Sequence, residues 1–131
     1  MSSRDGVVTA SAMTPAAAAE IAAEALRTLN HLTLTAPSCR TPGWEDVGDV
    51  YRLLGELRVV SDRLPQVCDQ IVSGLQRLGD QRDWFTDDGT TVHPDEVVSI
   101  AVGELQVASR VAEDLGRNVQ RAHCAVAHLY Q

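Results

Sequence analysis

The chain has 131 residues, is 44% hydrophobic and carries a formal net charge of -7, which is the size and composition of one globular domain able to bury a core. All eleven basic residues are arginine, and twelve acids against five arginines between Glu45 and Glu96 account for the whole imbalance. No basic stripe exists to neutralise phosphates and no apolar run approaches the roughly 20 residues that span a bilayer, so nucleic acid and membranes are not expected partners and a cytoplasmic location is expected.

Residues 1–13 are rich in Ser, Ala and Thr without an apolar period and are expected to be a flexible tail. Residues 14–131 are expected to form a single helical-bundle domain. Thr14 followed by Pro15 is an N-cap with proline at the first helical position, where its missing N–H costs nothing. Ile21, Ala22, Ala25, Leu26, Leu29 and Leu32 then recur at steps of three and four, which predicts a helix to about His31. Pro37 and Pro42 make the segment from Thr33 to Gly43 a connector.

From Val47 the apolar period becomes seven. Val47, Leu54, Ser61, Cys68 and Leu75 share one heptad position, and Val50, Leu57, Leu64, Ile71 and Leu78 the other. A second seam places Val98, Leu105, Ala112, Val119 and Val126 at one position and Ala101, Ala108, Leu115, Ala122 and Leu129 at the other. Short strands do not sustain such a pattern, so two long helices are predicted. Pro65 falls inside the first, where it removes a hydrogen bond and clashes with the carbonyl of Ser61. The heptad phase does not slip across it, which favours a kinked continuous helix over one split in two. Between the seams, Asp87-Asp88-Gly89 predicts a hairpin or ordered loop, and Pro94, Asp95 and Glu96 predict a helix start. The fold class that follows is all-α: an elongated antiparallel bundle of three helices with a coiled-coil-like long hairpin.

Each candidate for chemistry has a plainer reading. Cys124 and His128 lie four apart on a helix, with His123 and His31 elsewhere, but the second half of a zinc motif is missing, so no metal or other cofactor is expected. The acids Asp80, Asp83, Asp87, Asp88, Asp95 and Glu96 lack the alternation of a calcium loop and fit a turn and a helix start. Cys39, Cys68 and Cys124 are odd in number and widely spaced, and are expected to be reduced thiols. Cys68 sits on a seam with no histidine on its helix, and no phosphate-loop, dinucleotide or metalloprotease motif is present. A non-enzymatic role is expected. Trp44, Tyr51, Trp84 and Phe85 are rare large groups near the ends of the hairpin, which makes them the candidate interface residues or, equally, end caps.

Gly43-Trp44-Glu45-Asp46-Val47-Gly48-Asp49-Val50-Tyr51-Arg52-Leu53-Leu54-Gly55-Glu56-Leu57, continuing to Arg63-Leu64-Pro65-Gln66-Val67, resembles uncharacterised small actinobacterial helical proteins, some of them carried by mobile elements. The all-arginine basic set fits a GC-rich coding sequence of that origin. The long hairpin with tryptophan near its turn also resembles the secreted WXG100 hairpins, but Thr86 stands where that motif has glycine, its C-terminal Tyr-x-x-x-Asp/Glu signal is lacking and a helix precedes the hairpin. Neither resemblance implies an activity. The expected function is protein–protein interaction or scaffolding by a bundle that self-associates, with homo-oligomer or protein partner. The alternatives are an acidic nucleic-acid mimic acting as an inhibitor or anti-defence protein, and a small transcriptional regulator using Arg110, Arg117 and Arg121.

Overall fold

The computed structural model describes residues 12–34, 46–81, 85 and 93–129. Among them are three helices, α1 (Pro15–Leu34), α2 (Val47–Gln81) and α3 (Pro94–Val126), and no strand. The protein is all-α. By its internal contacts the chain divides into two units, Met1–Glu45 and Asp46–Gln131. Most of the predicted loop between the seams, of the N-terminal tail and of the connector lies outside the described residues.

The first unit contains α1. Thr14 caps it as its sequence position predicts, the Oγ1 accepting from the Ala17 N–H at 3.1 Å, with Pro15 opening the helix. The helix extends three residues past the expected end at His31. Near that end the Thr33 hydroxyl donates to the Leu29 carbonyl at 2.9 Å. No residue of α1 is buried, and its apolar stripe is exposed at Ile21, Leu26 and Leu32.

The second unit is an antiparallel hairpin of α2 and α3. Helix α2 opens with a reciprocal cap: Asp46 Oδ1 accepts from the Asp49 N–H at 2.9 Å, while Asp49 Oδ2 accepts from the Asp46 N–H at 3.2 Å. This is the capping-box arrangement with aspartate at both ends, and it also sets negative charge against the positive end of the helix. At the start of α3, Pro94 is preceded by His93, whose Nδ1 accepts from the Asp95 N–H at 3.2 Å. The far end closes through the Ala127 N–H on the His123 carbonyl at 3.2 Å.

Pro65 does not split α2, which is helical from Val47 to Gln81. The Ser61 hydroxyl donates to the Leu57 carbonyl at 2.8 Å, the back-bonding that lets serine sit inside a helix. Ser109 of α3 donates its hydroxyl to the Pro65 carbonyl at 3.4 Å. One half of each predicted seam faces the partner helix. Ser61, Ala112 and Val119 are buried, with Val47, Leu54, Cys68, Leu75, Val98, Leu105 and Val126 half-buried.

The other half of each seam is corrected. Instead of Leu64, Ile71 and Leu78, the second row of α2 that faces α3 is Arg58, Pro65 and Val72; instead of Ala108, Leu115 and Ala122, the second row of α3 is Ser109, Gly116 and His123. Val50, Leu57 and Ala101 stay half-buried at its margin. Both helices are rolled by one residue from the register that apolar content alone selects. The reason is close approach. A Cβ built on Gly116 would lie 2.9 Å from the Asp62 Oδ1 and 3.8 Å from the Ser61 Cβ, and one built on Gly55 would lie 3.3 Å from the His123 Nε2. Small residues at the crossing let the backbones come together and gain dispersion contacts along the whole seam. Bulky Leu64 and Leu115 in those places would hold the helices apart.

Candidate interaction surface

The roll leaves a chemically two-sided hairpin. On α2, the residues one position before the seam rows are Leu57, Val60, Leu64, Val67, Ile71 and Gly74, with Leu78 one turn further on. On α3 the corresponding row is Val97, Ala101, Glu104, Ala108, Val111, Leu115, Asn118 and Ala122. Glu104 is its only charge. The residues one position after the seam rows are Asp62, Gln66, Asp69, Ser73 and Gln76 on α2, with Val59 the apolar exception, and Gln106, Arg110, Glu113, Arg117 and Gln120 on α3.

Because the two helices run in opposite directions, stepping one residue back along each chain reaches the same side of the hairpin, and stepping one forward reaches the other. The polar rows meet there: Asp62, Pro65, Glu113, Gly116, Arg117 and Gln120 line one shallow hollow. The apolar rows therefore share the opposite side. Leu64 is 39% exposed, Ile71 46%, Leu115 47% and Val111 60%. Both rows belong to continuous helices, so this is one apolar face of two ridges side by side rather than scattered surface residues.

Polar chemistry on the hairpin is local. Arg52 pairs with Asp49, Arg117 with Asp114, and Arg58 with Asp62 at 3.8 Å, each within one helical turn. Arg121 donates to the Asn118 side chain at 3.2 Å. Arg52, Arg117 and Arg121 face solvent while Arg58 is half-buried at the seam, and exposed pairs of this kind contribute little to stability. Among the described residues no group of three or more His, Cys, Asp or Glu side chains is placed to hold a metal ion. Cys68 and Cys124 are free thiols, and among the described residues no helix is long and apolar enough to cross a membrane.

Of the four aromatic candidates, Tyr51 and Phe85 are among the described residues. Tyr51 stacks on His123 with ring centroids 4.2 Å apart and planes at 24°, so it ties α2 to α3 near the open end of the hairpin. Phe85 is 89% exposed. Trp44 and Trp84 lie outside the described residues. Sequence reasoning misses the apolar face because it assigns Leu64, Ile71, Leu78, Ala108, Leu115 and Ala122 to the seam. The signal is nevertheless there: the apolar stripe of each helix is three positions wide per heptad, one more than a two-helix seam uses. Comparison with protein families, curated proteins and solved structures finds no match to this chain.

Proposed function

We propose that the protein is a non-enzymatic interaction or scaffold module whose working surface is the apolar face of the α2–α3 hairpin. The observation that carries this reading is the pair of exposed aliphatic rows, from Val60 to Leu78 and from Val97 to Ala122, interrupted at Gly74, Glu104 and Asn118. Covering such a surface lowers the free energy in proportion to the apolar area removed from water. The polar side supports no rival. The α2 acids Asp49 and Asp62 pair with Arg52 and Arg58, which weakens the field a nucleic-acid mimic requires. Arg117 and Arg121 are engaged by Asp114 and Asn118, which does not favour the regulator reading.

The test is an environment-sensitive apolar dye together with sedimentation, comparing the unmodified chain with Leu64→Glu/Val111→Glu. Either the unmodified chain binds dye on this face or association covers it, and the double variant changes that behaviour while far-ultraviolet helicity is kept. Identical dye binding and identical mass in the two proteins would defeat the proposal.

A further inference from the structure

We infer that the occupant of the apolar face is a second copy of this chain, forming a two-fold four-helix bundle; this rests on the interaction surface proposed above. The argument starts from area. The α3 row from Val97 to Ala122 rises about 38 Å at 1.5 Å per residue, and two helices 8–10 Å apart present a face about 18 Å wide, so about 700 Å² per copy is available, or about 1,400 Å² in total. That lies within the range of a stable specific interface.

Shape is the second argument. The row on α2 is bulky, with Leu57, Leu64 and Ile71, whereas the row on α3 alternates shallow positions at Ala101, Ala108 and Ala122 with bulky ones at Val97, Val111 and Leu115. A bulky ridge of one copy fits the shallow positions of the other when α2 lies over the second copy's α3, since large side chains facing small ones interdigitate. That pairing needs a two-fold axis parallel to the helices, and the same axis repeats the contact on the other side. Every neighbouring pair in the resulting bundle is antiparallel. The face carries almost no charge, so it offers a charged partner nothing to pair with, while an identical apolar face matches it.

The experiment is sedimentation velocity with light scattering on the full chain from low to high micromolar concentration. A species of twice the 14.1 kDa chain mass is expected. Leu64→Glu/Val111→Glu, with its helicity checked by circular dichroism, should weaken the dimer at least about a hundred-fold, because each introduced carboxylate would be buried without a partner. Val59→Glu, on the opposite side of α2, should leave the mass unchanged. A dimer that survives the double variant, or that Val59→Glu dissociates, overturns the assignment of this face. In a Cys39→Ser/Cys68→Ala chain spin-labelled at the exposed Cys124, the two labels lie level along the bundle in the proposed pairing. In the reversed pairing, α2 on α2, they are separated by about 36 Å along the axis. A label distance that requires this axial separation overturns the pairing. A monomer that binds dye on the face, with binding lost in the double variant, overturns the second copy but keeps the interaction surface; a monomer that binds none overturns both.

Discussion

Gly103→Ala isolates helix propensity from packing. Gly103 is exposed in the middle of α3, and a Cβ built on it has nothing within 4 Å. The substitution therefore neither fills a gap nor meets a neighbour. Glycine in a helix interior is about 0.8–1.0 kcal/mol less favourable than alanine, so stability should rise by about that amount. For a unit of about 60–100 residues the melting temperature should rise by about 4–8 °C per kcal/mol. Gly116→Ala is the matched contrast. There the new Cβ would lie 2.9 Å from the Asp62 Oδ1 and 3.8 Å from the Ser61 Cβ. The carboxylate is the mobile end of an exposed side chain, but moving it disturbs the 3.8 Å pair with Arg58, worth about 0.2–1 kcal/mol. The propensity gain should be largely offset, leaving a change of about 0.5 kcal/mol or less. Urea unfolding followed by circular dichroism, at one protein concentration throughout, measures both. A destabilised Gly103→Ala, or a Gly116→Ala that gains as much as Gly103→Ala, would refute the reasoning.

Gly116→Leu should destabilise the hairpin by about 1–3 kcal/mol, since its Cβ alone already meets Asp62 Oδ1 at 2.9 Å and Ser61 Cβ at 3.8 Å and the longer side chain must displace the neighbours of this buried position; unchanged urea unfolding would show that the close approach is not needed. Asp46→Ala removes the acceptor for the Asp49 N–H and should cost about 1 kcal/mol by the same assay. Pro65→Ala restores a backbone donor inside α2 and should stabilise by up to about 3 kcal/mol; a loss would mean that the proline ring contributes more to the seam than its missing hydrogen bond costs. His123→Ala removes the ring stacked on Tyr51 and should cost about 1 kcal/mol, whereas Phe85→Ala, at an exposed position, should leave unfolding within about 0.5 kcal/mol.

Local chemistry determined the helices. Thr14-Pro15 and Pro94-Asp95-Glu96 begin α1 and α3 where their sequence predicts, because capping and proline geometry act within one turn. The Asp46-x-x-Asp49 cap is just as local, but it lacks the glutamate that usually signals such a box. One heptad row of each long helix was also legible, through Ser61 and Ala112. Only the tertiary structure decided which edge of the three-position stripe faces the partner helix. Apolar content favours Leu64 and Leu115, but close approach selects Pro65, Ser109 and Gly116, because backbone proximity depends on side-chain size at the crossing and no single helix carries that information. The same choice turned the remaining apolar edge outward, and with it the candidate site.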